Sequence, residues 1–384
     1  MIQRTLSKNI QSSLIAKKSI LLLGPRQVGK STLISSLKTD LKFNLAQQST
    51  FVDFAKDPRF LEQSLLAKLP RGGIVFIDEV QRIPSLLNTI QYLIDEKKGY
   101  QFILTGSSAR KLKRGKANLL PGRVHSYELG PIISKEMNYN FDTDKLIGFG
   151  SLPAIVTAES SKENKILLRS YSNAYLNEEI KGEALTKNLE GFTRFLFNVA
   201  LDSAKFLDLT KVSKLAAVPR QTIQRYFEIL EDTLIVNRLQ SFAQSEKRRL
   251  IQHPKFYFFD NGVLNALFIN FNVSQDRKGM LFENLFFNQL RTSLSYSSHD
   301  YRLSSFRTDA GAEVDIILEL NSQIYALEIK TGDFKQSELG GFRSFENFLG
   351  KKVKKYVITM NDSSRKIGEV EVINWQNFLK KLGI

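Results

Sequence analysis

Four short apolar runs, at residues 20–23, 51–54, 74–77 and 102–104, recur through the first 130 residues, separated by stretches of helical periodicity. Runs of that length predict strands, and their unbroken apolarity predicts burial on both faces, as in a parallel sheet built from βαβ units. The character then changes. Residues 150–270 read mostly as helices, with apolar positions every three or four residues. From about 275 the pattern is mixed, with a helix near 280–291 and strands near 314–318, 324–329 and 354–358. The expected organisation is α/β with three parts: a parallel sheet (1–135), a helical region holding a winged helix-turn-helix (136–272, with the motif at 209–239), and a C-terminal α/β domain (273–384).

The turn after the first run makes that sheet chemical. Gly24-Pro25-Arg26-Gln27-Val28-Gly29-Lys30-Ser31 matches G-x-x-x-x-G-K-[ST], with a strand before it and, from 31 to 37, a helical pattern after it. Glycines let main-chain N–H groups turn toward phosphate oxygens, and the helix N-terminus adds partial positive charge. Lys30 is placed to reach the β- and γ-phosphates, Ser31 to ligate Mg²⁺, and Thr32 completes the phosphate contacts. The alternative is an ordinary glycine-rich turn.

The run at 74–77 ends in Asp78 and Glu79. Asp78 suits the Mg²⁺ water shell and Glu79 suits polarisation of an attacking water, so ATP hydrolysis with Mg²⁺ is the expectation. An acidic helix start is the competing explanation, since Pro84 and an amphipathic set follow. Beyond the run at 102–104, Ser107 stands where a strand tip would meet the γ-phosphate, because ligands gather at strand carboxyl ends.

Charge and composition narrow the partners. The 384 residues carry a formal net charge of +16, which attracts polyanions, and DNA is favoured over membrane because no lipidation signal, basic amphipathic N-terminus or membrane-length apolar run occurs. Without cysteine and with three histidines, disulfides and thiolate metal sites are excluded. With no signal-peptide core in the first 18 residues, a cytoplasmic protein is expected.

The runs GPRQVGKSTL, FIDEVQRIPSLLNTIQYLID, ILTGSSARKL and LLPGRVHSYELGP resemble the AAA-type ATPase domain of a large prokaryotic family. GSLPAIV, FYFFDNGVLNAL, GMLFENLFFNQL and EVDIILEL through ALEIKTG are similar to that family's second domain, long described as of unknown function. The resemblance implies an ATPase that assembles into homo-oligomers, with Arg123 or Arg110 as an arginine finger on a neighbouring site. A solvated surface arginine is the plainer role for either.

Two further patterns stand downstream. Val212, Leu215 and Ala216 mark a short helix, Val218-Pro219 a turn, and Ile223, Tyr226, Phe227 and Leu230 the buried face of a second helix. Arg220, Gln221, Gln224 and Arg225 then point outward, residue types that bond guanine and adenine edges, and Lys247, Arg248 and Arg249 add phosphate attraction. Such a unit also serves as a packing module. Finally, Glu283 on a helix, Asp315 closing one strand run, and Glu328 with Lys330 on one face of the next resemble the PD-(D/E)XK nuclease core. There Glu283, Asp315 and Glu328 would hold Mg²⁺ and Lys330 would position a water. Val314 stands where that core usually has proline, and a surface ion pair is the alternative for Glu328 and Lys330.

The combined expectation is an ATP-hydrolysing oligomeric DNA-binding protein of DNA repair or phage defence. The alternative is an ATP-dependent switch, binding DNA or protein, with an inactive nuclease-like domain.

Overall fold

The computed structural model describes residues 2–107, 120–173, 188–243, 253–332, 339–362 and 364–384. The chain forms two compact units, one from Met1–Gly130 with Asp232–Ile235, the other from Pro131–Glu231 and Val236–Ile384.

In the first unit, α1 (Leu6–Ile15) leads into β1 (Ser19–Leu23), α2 (Lys30–Ser35), β2 (Leu41–Asn44), α3 (Gln48–Lys56), α4 (Phe60–Lys68), β3 (Gly73–Asp78), α5 (Leu86–Asp95), β4 (Tyr100–Gly106) and β5 (Val124–Glu128). The five strands form one sheet in the order β2-β3-β4-β1-β5, every pair parallel. This resembles the P-loop NTPase arrangement: β4 is central, and its carboxyl end opens between those of β1 and β3. Ile20, Leu22, Val75, Ile77 and Phe102–Leu104 are fully buried, as their apolarity requires.

One expected strand is not there. Residues 51–54 lie within α3, and β2 forms one edge of the sheet, with β5 at the other. Phe51 and Phe54 stand three apart, which on a helix is one side, and Phe54 packs edge-on against Phe43 of β2 and Phe60 of α4, with centroids 5.0 and 5.1 Å away. In β2 only Phe43 is buried, so an edge strand with one inward side chain shows no apolar run.

The second unit contains α6 (Thr143–Phe149), α7 (Pro153–Thr157), α8 (Ser161–Tyr171), α9 (Leu189–Leu201), α10 (Leu209–Ala216) and α11 (Arg220–Asp232), then an antiparallel pair, β6 (Val236–Leu239) with β7 (Lys255–Phe258). After α12 (Asn261–Leu267) and the long α13 (Gln275–Tyr296) come β8 (Tyr301–Arg307), β9 (Glu313–Leu320), β10 (Gln323–Lys330), α14 (Gly340–Leu349), β11 (Lys354–Thr359), β12 (Arg365–Ile367), β13 (Val370–Asn374) and α15 (Trp375–Leu382). The six strands form a mixed sheet in the order β12-β13-β11-β10-β9-β8. β8, β9 and β10 form an antiparallel meander; β10, β11 and β13 are parallel.

Helical and mixed regions pack together here through buried polar groups as well as apolar ones. On α13, Asn284 and Asn288 donate to the Phe258 carbonyl at 2.9 and 2.6 Å, and Gln289 donates to the Ile132 carbonyl at 2.9 Å while accepting from Ser134 N at 2.7 Å. Asp260, fully buried, accepts from Ser151 N at 2.7 Å and from Val263 N at 3.1 Å at the start of α12. Burial raises its carboxyl to about 6, against the lowering effect of those amides.

Candidate active site

The loop between β1 and α2 is shaped by close approach. A Cβ at Gly24 would fall 2.3 Å from the Leu129 carbonyl oxygen, so no other residue fits there. Gly29 has φ 93° and Gln27 φ 62°, left-handed conformations that curl the loop back onto the helix start. Pro25 and Val28 are buried beneath it, while Arg26 is half-buried. The Lys30 ammonium, itself buried, donates to the carbonyls of Gly24 (2.8 Å) and Pro25 (2.9 Å). From the other side Arg4, which no motif identifies, donates to the carbonyls of Val28 and Gly130, each at 2.7 Å. With three of its carbonyls held this way, the loop has a fixed curvature at a helix N-terminus, where an anion is favoured. Ser31 and Thr32 are exposed on the first turn of α2.

Ser31 is joined to the end of β3: its hydroxyl donates to Asp78 Oδ2 at 2.8 Å, and Thr105 of β4 donates to Asp78 Oδ1. The serine hydroxyl and aspartate carboxylate, a hard-oxygen pair at a phosphate loop, are the donor set that suits Mg²⁺. Glu79 follows with φ 61°, and its N–H reaches Thr105 Oγ1 at 3.3 Å. Gln81 then turns its amide back to donate to Glu79 Oε2 and, at 3.1 Å, to Ser107 Oγ. Lys30, Ser31, Asp78, Glu79 and Ser107 thus share one end of the sheet. Thr105 and Gln81 complete the network; sequence reading passed over both because neither belongs to a phosphate or acid motif.

The arginine positions are less simple. Arg123 Nε and Nη2 donate to the two carboxylate oxygens of Asp95, at 2.7 and 2.9 Å. This bidentate hydrogen bonding raises the guanidinium above its ordinary range and lowers Asp95. Arg110 lies outside the described residues, as do Lys247, Arg248 and Arg249.

In the second unit α10 and α11 are joined by a tight turn with Ala217 at φ 53°, closed by Ser213 Oγ donating to the Val218 carbonyl at 2.6 Å. Val212, Ala216, Ile223, Tyr226, Phe227 and Leu230 are buried as expected, but Leu215 is exposed, because the inner side of so short a helix is already taken by Val212 and Ala216. Arg220, Gln221, Gln224 and Arg225 all face solvent on α11. Between α11 and the β6–β7 pair runs a cleft of 430 Å³ lined by Arg220, Gln224, Arg238 and His253 over Phe227 and Phe256.

The four C-terminal residues converge, with an addition. Asp315 opens β9 rather than closing its run; because β9 and β10 are antiparallel, the start of one meets the end of the other. There Asp315 Oδ2 accepts from Ile329 N at 2.9 Å, and the Asp315 charge acts on Glu328. Lys330 Nζ is 3.5 Å from Glu328 Oε2. Glu283 comes in from α13. Among these acids stands Lys255 of β7, only 2% exposed, with Nζ 3.1 Å from Glu283, 2.8 Å from Glu313 and 3.4 Å from Asp315. Burial disfavours its charge, yet the surrounding acids outweigh that and hold the ammonium well above its ordinary value. Tyr257 also donates to Glu283 at 2.7 Å. Burial, then the Asp315 charge, raises Glu328 to about 9, and burial raises Glu283 to about 7. Among the described residues, no group of three or more His, Cys, Asp or Glu side chains has the arrangement to hold a metal ion. Nor is any described helix long and apolar enough to cross a membrane.

Comparison with known proteins follows the same division. An uncharacterized protein of Mycobacterium tuberculosis is 27% identical over 334 residues, covering 85% of this chain and 74% of that protein. An uncharacterized protein of Methanocaldococcus jannaschii is 24% identical, covering 75% and 70%. The RuvB subunit of the Holliday junction branch migration complex of Mycoplasma genitalium is 24% identical, covering 56% of this chain and 80% of that one. Residues 140–276 and 278–378 match two domains of unknown function, DUF8612 and DUF4143. Residues 16–138 match the AAA domain family, and the loop, acid pair and strand order above support an AAA-type P-loop ATPase domain over this part of the chain.

Proposed function

We propose that this protein hydrolyses ATP as a homo-oligomer and uses the nucleotide cycle to change its grip on DNA, in repair or phage defence. The carrying observation is the joined pair Ser31 and Asp78, 2.8 Å apart at the loop that Lys30 closes. In this reading the loop from Gly24 to Thr32 cradles the triphosphate and Lys30 leaves its carbonyl partners for the β- and γ-oxygens. Mg²⁺ held by Ser31 and Asp78 would supply charge neutralisation on those oxygens. Glu79 orients the attacking water and takes its proton, and Ser107 meets the γ-phosphate.

DNA as partner is supported by the net charge of +16, by the four exposed polar side chains of α11 beside a two-stranded wing, and by the RuvB relative. The test is ATPase rate with duplex, junction and single-stranded DNA: stimulation by at least one supports the reading, and a rate indifferent to all of them ends it.

A second reading is favoured by one contact. Lys255 supplies a fixed positive charge where a nuclease core would use Mg²⁺ between Glu283 and Asp315. A cluster already neutralised by the chain suits a domain that binds without cutting, an ATP-governed switch. Its test is plasmid and junction cleavage in Mg²⁺ and Mn²⁺ by the wild type and by Lys330→Ala. Cleavage lost in the variant would restore Glu283, Asp315 and Glu328 as metal ligands with Lys330 as their catalytic partner.

A further inference from the structure

We propose that Gln81 is the positioning residue of the hydrolytic step, fixing the Glu79 carboxylate to Ser107 so that the water-orienting and γ-phosphate-sensing groups move as one. This rests on the reading of Glu79 as the group that handles water. Glu79 leaves β3 in the left-handed region, φ 61°, and the 3-10 turn Val80–Arg82 brings Gln81 back beneath it. From there a single amide nitrogen donates to Glu79 Oε2 and to Ser107 Oγ. A carboxylate accepts only, so the nitrogen must face that side, which fixes the orientation of the amide by chemistry. Its two donor hydrogens are thereby spent on two residues 28 positions apart, one on β3's end and one on β4's.

The other side of the amide argues against simple space-filling. Gln81 is 5% exposed, and its Oε1 is buried with no hydrogen-bond partner among the described residues. An apolar side chain of the same length would fill that space without stranding a polar atom. What requires an amide is its nitrogen. Room for the oxygen comes from Gly106, where a Cβ would lie 2.8 Å from Gln81 Oε1. Gly106 therefore sets the depth at which the amide sits, and through it the place of the carboxylate.

The experiment uses the full chain with its best DNA activator. Gln81→Met keeps length and burial but removes both bonds; Gly106→Ala keeps both bonding partners but pushes the amide outward. Each is expected to lower kcat by about 10- to 100-fold, the scale of a misplaced reacting group, with the dissociation constant of a fluorescent ATP analogue and the unfolding midpoint near those of the wild type. A kcat loss without a binding loss is the mark of an interaction made in the transition state. Full kcat in Gln81→Met, or parallel loss of kcat, nucleotide binding and stability, would overturn the assignment. A wild type that binds ATP but never hydrolyses it would instead remove the functional reading beneath it, and the same assay tells the two failures apart.

Discussion

The Lys255 ammonium lies 3.1 Å from the Glu283 carboxylate, with the lysine side chain 2% exposed and the glutamate 16%. One comes from the wing strand β7 and the other from α13, so this ion pair fastens the wing to the α/β layer. Two more carboxylates share the same ammonium. Removing one partner of a buried charge cluster strands the rest, at a cost of about 3–5 kcal/mol. Lys255→Met should therefore be destabilised on that scale in urea, and Mn²⁺ should restore part of the loss by replacing the missing charge. A variant as stable as the wild type would show that the acids accommodate protons instead.

At the phosphate loop Glu79 and Lys30 should separate by function. Glu79→Gln is expected to retain ATP binding but lose about 10²- to 10⁴-fold in kcat, the usual worth of a general base. Lys30→Ala should lose ATP binding itself, read by calorimetry. If Glu79→Gln hydrolyses at the wild-type rate, the proton has another acceptor.

Arg123 offers a test of assembly. It is held by Asp95 of its own chain, so acting on a neighbour's nucleotide requires breaking two hydrogen bonds. As a finger, Arg123→Ala would remove the concentration-dependent part of the ATPase rate, and Asp95→Ala, which frees the guanidinium, would raise it. If Arg123 is only a surface pair, both variants turn over like the wild type.

On α11 the exposed residues divide by what they would touch. Loss of Arg220 or Arg225 should weaken all DNA sequences alike and reduce the slope of log affinity against log salt by about 0.9 for each phosphate contact removed. Loss of Gln221 or Gln224 should leave the slope and change the ranking among sequences. Unchanged binding in all four would return this helix pair to a packing role.

Asp260 gives a pH dependence with a definite sign. Its carboxyl is raised in the folded state from 3.8 to about 6. The stability it contributes is thus complete below pH 3.8 and is lost as pH rises through 6, a difference of about 3 kcal/mol at 1.4 kcal/mol per unit. Asp260→Asn lacks that titration. Chemical unfolding at several pH values should show the wild type's advantage over Asp260→Asn shrinking as pH rises across this window; a constant difference would mean that the group titrates alike folded and unfolded.

The buried strands and the phosphate loop were legible because each is a local pattern. Phe102 to Leu104 is apolar without interruption, and Lys30 and Ser31 sit inside an eight-residue motif. What could not be read is whatever depends on a distant partner. The edge strand around Phe43 shows its identity only through pairing with β3, and Phe51 to Phe54 imitates a strand until the helix period is seen against Phe60. Lys255 reads as one more lysine in a basic chain; its meaning comes from acids 28 to 60 residues later. Glu283, Asp315, Glu328 and Lys330 could be picked out by order and spacing, yet the charge at their centre could not.

Arg4 carries the same lesson to the beginning of the chain. Its guanidinium grips the loop at Val28 and the strand exit at Gly130, 126 residues away, so the floor of the phosphate loop is partly built from the fourth residue. A lesion there, by substitution or by trimming of the first few amino acids, would present as a defect in ATP handling while every residue of the recognised motifs remained intact.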